Sequence, residues 1–279
     1  MEKIKAYYHL SRPISTITGA LAVLLGGYVA QTGVWWPVLL AALVTFIVGA
    51  SSNAFNDYLD IEIDRINQPQ RVLPSGQLAP RDALIFSIVL AAFSIIIGWF
   101  ISMPAFIIIV TCNALLYIYS WKLKSTVLLG NATIALIASA SVFLGGVSAG
   151  NVQPSIILAT IVATVIMARE ILKTMADYEG DLAQQVSTIS TVWGMRAAHA
   201  LFVTIGITAL IVLLLPFFVA DYNRAYIILT ILGLYPVMLY AITKVRANTP
   251  AQQLERTSQI IKYAFFVWFF AVWFGRMPI

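Results

Sequence analysis

Residues Asn53 to Gly76 read NAFNDYLDIEIDRINQPQRVLPSG and begin at the end of a long apolar run. Asn56, Asp60 and Asp64 recur at i, i+4 and i+8, so they lie along one face of an α-helix. Three oxygen-bearing side chains on one face repel each other unless a cation lies among them, and oxygen ligands suit Mg²⁺. The stretch therefore predicts a Mg²⁺ site, with a solvated helix end as the alternative.

A second acidic segment repeats this spacing farther along the chain. Asp177 and Asp181 are again i and i+4, and they follow Asp60 and Asp64 by 117 residues each. The first segment ends the second apolar run of the chain, and the second segment ends the sixth. This separation by four runs suggests a four-helix unit used twice. Because charged groups near lipid are costly, the repetition favours a functional metal site over solvated helix ends.

The composition is that of a polytopic membrane protein. Hydrophobic residues make up 60% of the 279 residues, charged residues make up 10%, and the mean hydropathy is +0.88. We predict an all-α fold in which residues 1–279 form a single transmembrane domain. The fifth of nine apolar windows carries closely spaced small residues, among them Gly145, which favour close helix packing. The windows are 13–31, 36–56, 83–102, 104–121, 126–148, 155–175, 197–219, 224–243 and 259–276.

Basic residues lie almost entirely on one side of these predicted spans. Of the 17 Lys and Arg residues, Arg224 and Arg276 alone fall on the side opposite to the N-terminus. The positive-inside rule then places the N-terminus and the acidic segments in the cytoplasm and, with nine spans, the C-terminus outside. The net charge of +5 needs no nucleic acid as a partner, because anionic membrane lipids are its natural counterpart. The single cysteine, Cys112, excludes a disulfide framework.

Three arginines near the acidic segment each have two interpretations. Arg12 opens the first span and either anchors it at the membrane surface or reaches into a site between helices. Arg65 and Arg71 either neutralise the neighbouring acids or bind an anion that the metal bridges.

The predicted metal ligands fit a diphosphate best among polyanions. Each Mg²⁺ takes a few protein ligands and completes its shell with phosphate oxygens and water, so two acidic helices could hold two ions bridged by one diphosphate. The ions would stabilise the charge on a departing diphosphate, which permits heterolysis of an allylic C–O bond. A membrane cavity would keep water from the resulting cation. We therefore expect transfer of a long isoprenoid from its diphosphate to an acceptor.

The segments at Asn56–Gly76 and Asp177–Asp181 (DYEGD) resemble the motifs of the UbiA-type intramembrane prenyltransferases. The resemblance covers essentially the whole chain. It implies nine transmembrane helices around a central cavity, an isoprenyl diphosphate donor, a lipid-like acceptor and Mg²⁺ as the cofactor. The ligands of Mg²⁺ and diphosphate would be Asn56, Asp60, Asp64, Asp177 and Asp181. The supporting residues would be Asp57 in the first segment, and Arg65, Arg71, Arg169 and Lys173 at the phosphates.

Three further segments resemble the digeranylgeranylglyceryl phosphate synthase branch of this family: DRINQPQRVLPSG, YSWKLKSTVLLGN, and REILK with YEGD after it. That branch transfers geranylgeranyl to geranylgeranylglyceryl phosphate in ether-lipid biosynthesis. The family often has Tyr four residues before Lys after span four. Here Tyr119 precedes Lys122 by three and Lys124 by five, so either lysine could contact the substrate, or all three could form an interfacial belt. Thr174 and Ala176 replace acidic residues of the branch, which leaves an aromatic quinone precursor or a tetrapyrrole as alternative acceptors.

Two other function classes use similar devices. A phosphotransferase acting on CDP-linked alcohols would also need Mg²⁺ and Asp-rich helices, but its compact motif combining DG, AR and paired Asp residues is absent from the sequence. A cation-coupled transporter built from repeats would place its acids near the bilayer midplane, whereas these acids lie at predicted cytoplasmic ends. The sequence therefore favours the prenyltransferase.

Overall fold

The computed structural model describes residues 2–277, and over that range the chain is helical and contains no β-strand. The predicted all-α fold is confirmed. A short 3₁₀ helix, Leu123–Ser125, lies between α6 and α7. The α-helices, in chain order, are α1 (Glu2–Ser11), α2 (Pro13–Val29), α3 (Trp36–Leu59), α4 (Ile61–Asn67), α5 (Pro80–Trp99), α6 (Met103–Trp121), α7 (Leu129–Ser148), α8 (Gln153–Ala176), α9 (Tyr178–Ala183), α10 (Ile189–Val192), α11 (Met195–Val212), α12 (Leu215–Val219), α13 (Arg224–Leu232), α14 (Leu234–Lys244) and α15 (Ala251–Gly275).

The number of spans agrees with the apolar windows. Among the described residues, eight segments are long and apolar enough to cross a membrane. The first window corresponds to α2, which has 17 residues and becomes span-length only together with α1, at a bend of 51°. With this bent pair counted as one span, the described part of the chain has nine.

The seventh and eighth spans are interrupted. Pro216 cannot donate a backbone hydrogen bond, and the helix breaks between α11 and α12. At this break the hydroxyl of Tyr226 donates to the carbonyl of Leu213 at 2.7 Å, and Trp268 Nε1 donates to the same hydroxyl at 3.1 Å. Gly233 separates α13 from α14. The Tyr226 contact gives a buried carbonyl the partner that lipid cannot supply.

The chain divides into two compact units. The N-terminal unit extends to Leu123 and includes Ala140–Val152, while the C-terminal unit comprises Lys124–Ser139 and the residues from Gln153 onward. Each unit contains one of the two acidic segments.

Helices α2 and α7 touch through their backbones in the N-terminal unit. A Cβ atom at Gly26 would overlap the carbonyl of Val142, and one at Gly145 would overlap the carbonyl of Val23. Small residues at such crossings let membrane helices approach closely. The apolar core beside this crossing draws residues from α2, α3, α6 and α7: Val23, Val38, Ala41, Ala42, Val44, Val48, Ala105, Ile109 and Leu144.

A second apolar cluster holds the loop that follows the first acidic segment. Ala6 and Leu10 of α1 pack in this cluster with Val72 and Leu73 of the loop. The cluster also contains Ala54, Leu78 and Ala83. Because all of these residues are buried, α1 and the loop after α4 are fixed against each other and against α3.

Candidate active site

The first acidic segment is interrupted at an aspartate that still makes one helical hydrogen bond on each side. Asp60 lies between α3 and α4 with φ −94° and ψ 8°. Its backbone N–H donates to the carbonyl of Asn56 at 2.9 Å, and that of Asp64 donates to the carbonyl of Asp60 at 2.8 Å. These two i to i−4 bonds preserve the helical spacing of Asn56, Asp60 and Asp64 across the interruption. Within this face, Asn56 Nδ2 donates to Asp60 Oδ2 at 3.0 Å.

The second acidic segment has the same construction. Asp177 lies between α8 and α9 with φ −84° and ψ 1°. Its N–H donates to the carbonyl of Lys173 at 2.9 Å, and the N–H of Asp181 donates to the carbonyl of Asp177 at 2.9 Å. Backbone near φ −90° and ψ 0° is sparsely populated, and many active-site residues adopt it. The repetition seen in the sequence is therefore also a repetition of local structure.

Two arginines bind the buried carboxylates of the first segment. Asp57 and Asp64 are each 5% exposed, and buried carboxylates need charged partners. Arg71 Nη1 donates to both carboxylate oxygens of Asp64, at 2.8 and 2.7 Å, and lies 3.8 Å from Asp57 Oδ1. Arg12, at a left-handed φ of 48° between α1 and α2, donates through Nη2 to Asp57 Oδ1. Both arginines therefore contact the first acidic segment.

In the second segment a buried glutamate organises the basic residues. Glu170 is 7% exposed; Arg169 Nη1 donates to its Oε1 at 2.9 Å, and Lys173 Nζ donates to its Oε2 at 3.5 Å. The sequence analysis assigned no role to Glu170, although its i, i+3 spacing to Lys173 was a signal for this contact. Glu170 orients the two cations that the sequence predicts at the phosphates.

Burial perturbs the aspartates of the second segment. Burial raises the pKa of Asp177, while the nearby Lys173 ammonium opposes this shift and the carboxylates of Glu255 and Glu170 add to it. The pKa of Asp181 is raised to about 6 by burial and by the Asp177 carboxylate, against a hydrogen bond with the Thr188 side chain. A divalent cation would relieve both the desolvation and the repulsion between these carboxylates.

The donor set suits Mg²⁺. Mg²⁺ commonly takes one or two carboxylates and keeps positions for phosphate oxygens and water. Each acidic segment offers a pair of aspartates at i, i+4, and the first also offers the amide oxygen of Asn56. Between residues 2 and 277, no three His, Cys, Asp or Glu side chains form a group that could hold a metal ion unaided. A Mg²⁺ ion held by one such segment would take its remaining ligands from substrate oxygens and water. That both segments serve one diphosphate stays a prediction.

The other predicted substrate-binding residues lie at helix ends. Arg65 Nη1 pairs with Glu62 at 2.9 Å, and both side chains are exposed. Tyr119 is half-buried near the end of α6, and Lys122 is exposed directly after it. Lys124 is half-buried in the 3₁₀ helix. The roles of these residues stay predictions.

A cavity of about 850 Å³ opens beside the first acidic segment. The sequence analysis assigned no site to α1, yet this helix provides Lys3, Lys5 and His9 to the lining. A signal was present in the i, i+4 pair of Ala6 and Leu10, whose burial fixes one face of α1 against the protein. The basic residues of the lining are Lys3, Lys5, His9, Arg12 and Arg71.

Known proteins share this architecture over its full length. The model of the UbiA prenyltransferase family matches residues 15–270. A digeranylgeranylglyceryl phosphate synthase of Methanothermobacter thermautotrophicus is 32% identical over 266 residues, which are 95% of this chain and 94% of that protein. A protein of the same name from Thermococcus sibiricus is 32% identical over 278 residues, covering 99% and 98% of the two chains.

Solved structures give the same result. A structure concerning digeranylgeranylglyceryl phosphate synthase in membranes matches with a TM-score of 0.86 and 30% identity, and the match covers 100% of both chains. A UbiA homologue from Archaeoglobus fulgidus, bound to GPP and Mg²⁺, matches in fold with a TM-score of 0.71 at 19% identity, covering 94% of this chain and 99% of that one. The predicted family resemblance is confirmed: the chain belongs to the UbiA prenyltransferase family.

Proposed function

We propose that this chain transfers a geranylgeranyl group from geranylgeranyl diphosphate to the free hydroxyl of geranylgeranylglyceryl phosphate. The observation that carries the proposal is the helix interruption shared by the two acidic segments, each with aspartates at i, i+4. Membership in a prenyltransferase family supports an enzyme over a cation-coupled transporter. The names of the similar relatives support this acceptor over an aromatic quinone precursor or a tetrapyrrole.

The reaction exchanges one C–O bond for another. The bond between C1 of the isoprenoid and the diphosphate breaks, a bond forms between C1 and the acceptor oxygen, and the hydroxyl proton passes to the released diphosphate. Bound Mg²⁺ would stabilise the negative charge that develops on this leaving group. The residues that would hold the metal are Asn56, Asp60 and Asp64 in one segment, and Asp177 and Asp181 in the other.

The neighbouring cations would position the phosphates. Arg169 and Lys173 are held side by side by Glu170, so they offer two fixed positive charges to diphosphate oxygens. In the first segment, Asp57 and Asp64 fix the guanidinium of Arg71, and Asp57 also fixes that of Arg12. We assign the contacts with the donor diphosphate to Arg169, Lys173, Arg65, Tyr119 and one of the two lysines Lys122 and Lys124, while Arg12 and Arg71 face the cavity beside the first segment.

The proposal includes a membrane topology. The positive-inside rule applied to the Lys and Arg residues supports a cytoplasmic N-terminus, cytoplasmic acidic segments and, with nine spans, an external C-terminus. In this arrangement residues 1–279 act as a single catalytic domain surrounded by membrane lipids.

Prenyl transfer can be measured with the purified chain in phosphatidylcholine nanodiscs, radiolabelled geranylgeranyl diphosphate and Mg²⁺. We expect product with geranylgeranylglyceryl phosphate and none after chelation of Mg²⁺. Asp60→Ala and Asp181→Ala should each lower the rate by about a hundredfold or more, because a carboxylate ligand of the catalytic metal is lost. Asp221→Asn is a control, since its carboxylate is exposed in the loop between α12 and α13 and has no assigned contact with either substrate.

The same assay separates the alternatives. Full activity of both aspartate variants would contradict the proposed metal ligands. If transfer to an aromatic quinone precursor or a tetrapyrrole is faster than transfer to geranylgeranylglyceryl phosphate, the proposed acceptor is wrong and the prenyl-transfer reaction stands. Uptake of a solute into proteoliposomes, without chemical change of any isoprenoid, would support the transporter instead.

A further inference from the structure

The cavity beside the first acidic segment has the character of an anion-binding site. Of its described lining residues, Lys3, Lys5, Arg12 and Arg71 are cations, and Asp57 is the one carboxylate. The lining therefore carries an excess of positive charge before His9 is considered. At about 850 Å³ the cavity is far larger than a single ion and has room for a lipid head group.

The walls of this cavity are fixed by packing rather than by the ligand. Ala6 and Leu10, on the buried face of α1, are 1% and 0% exposed and pack in one cluster with Val72 and Leu73 of the loop after α4. The backbone positions that carry the lysines of α1 and the glutamines of the loop are thereby fixed around the same space. A preorganised arrangement of this kind lowers the entropic cost of binding.

Two of the cations are oriented by buried carboxylates. Asp57 binds Arg12, and Asp64 accepts two hydrogen bonds from Arg71 Nη1. A guanidinium carries five N–H donors, so these contacts leave donors on each arginine for a second anion. Gln70 and Gln77 line the cavity as well, and each amide uses one N–H in a loop contact and retains another.

We propose that this cavity binds the phosphate monoester of the acceptor lipid. The inference rests on the proposed function and names the group that the site recognises. A phosphate monoester carries about −1.5 to −2 charges near neutral pH and three acceptor oxygens, which match clustered cations and amide donors. Its place is next to the predicted metal ligands, because Arg71 lines the cavity and binds Asp64. An acceptor without an anionic group would place no negative charge opposite the two lysines of the cavity.

Acceptor kinetics test this assignment. In phosphatidylcholine nanodiscs, the Lys3→Gln/Lys5→Gln variant should raise the KM for geranylgeranylglyceryl phosphate by about tenfold or more, and leave the KM for the donor unchanged, because two charge-assisted contacts are lost. Both lysines are exposed, so the fold should tolerate the change. Lys244→Gln, at an exposed lysine in the last turn of α14, is the matched control.

A second variant distinguishes a loss of phosphate binding from an effect on membrane insertion. The double lysine variant removes two positive charges near the N-terminus, which contribute to orientation. Gln77→Glu leaves these charges in place and adds a carboxylate to the cavity, so it should also raise the acceptor KM selectively. An unchanged acceptor KM in both variants, or an equal rise in the donor KM, would overturn the proposal.

Competition and binding experiments identify the molecule that carries the phosphate, and they test the cavity assignment independently of the proposed function. Inorganic phosphate should compete with the acceptor in the wild-type chain, and more weakly in the variants. If the defect appears only in nanodiscs with anionic phosphatidylglycerol, the cavity holds a membrane lipid and the proposal fails. Direct binding of radiolabelled geranylgeranylglyceryl phosphate, compared with geranylgeranylglycerol, needs no turnover. Phosphate-dependent binding without transfer would therefore contradict the proposed function and support the assignment of the cavity.

Discussion

At the scale of single residues, Asp57 differs from the aspartates that share its segment. It follows Asn56 by one position, so on a regular helix its side chain projects about 100° from that of Asn56 and about 60° from that of Asp60. There it is buried and contacts Arg12 and Arg71. We interpret Asp57 as a positioning residue for the two arginines rather than as a metal ligand.

The Arg12–Asp57 pair should be coupled in stability. Arg12→Gln removes the closest partner of a buried carboxylate, and we expect a loss of about 1–3 kcal/mol. The loss is smaller than for a fully buried pair, because the Arg12 side chain is 35% exposed and Arg71 remains 3.8 Å from Asp57. Denaturant unfolding in mixed micelles measures it. The Arg12→Gln/Asp57→Asn variant should recover at least half of the loss, whereas strictly additive losses would show that the pair is uncoupled.

At the scale of elements, the apolar windows predict the helices because a backbone in lipid must satisfy its own hydrogen bonds, which a helix does. The windows miss α1, since its polar positions dilute the hydrophobic signal and its burial depends on the distant loop residues Val72 and Leu73. They also miss the breaks near Asp60 and Asp177, where each aspartate still makes i to i−4 hydrogen bonds. The face shared by the aspartates could be predicted from spacing alone. The arginine contacts could not, since a loop and a helix start determine where Arg71 and Arg12 lie.

The crossing of α2 and α7 should depend on the absence of a side chain at Gly145. Gly145→Ala would push a methyl group against the carbonyl of Val23, and we expect a loss of about 1–3 kcal/mol from overpacking. Unfolding in mixed micelles measures the change. Gly33→Ala is the matched control, because a Cβ atom there meets nothing within 4 Å and stability should stay within about 0.5 kcal/mol of wild type. Equal stability of both variants would show that the crossing is not tightly constrained.

At the scale of the whole molecule, composition and charge distribution determine most of what the sequence can predict. The high mean hydropathy indicates a polytopic membrane protein, and the basic loops predict its orientation. The position of the acidic segments at the ends of spans is consistent with the proposed acceptor, because a charged head group stays at the membrane surface.

Thiol labelling tests this orientation. In a Cys112→Ser background the chain has no native cysteine, so Ala79→Cys and Gly33→Cys each place one thiol in an exposed loop, after α4 and after α2 respectively. In intact cells, a membrane-impermeant maleimide should label Gly33→Cys and should label Ala79→Cys only after permeabilisation. The opposite pattern would invert the topology, and labelling of both thiols in intact cells would show that the two loops lie on the external side.

Arg71 connects two binding events through one side chain. It holds both oxygens of Asp64 through Nη1 and also lines the basic cavity, so an anion that shares its guanidinium would weaken this hold and make those oxygens more available to a metal ion. Linkage makes such an effect reciprocal: the factor by which the anion strengthens metal binding equals the factor by which the metal strengthens anion binding. Metal binding at Asp64 would then be strongest when the acceptor is bound. The isoprenoid donor would ionise mainly in the presence of the acceptor, which would protect the donor from unproductive hydrolysis.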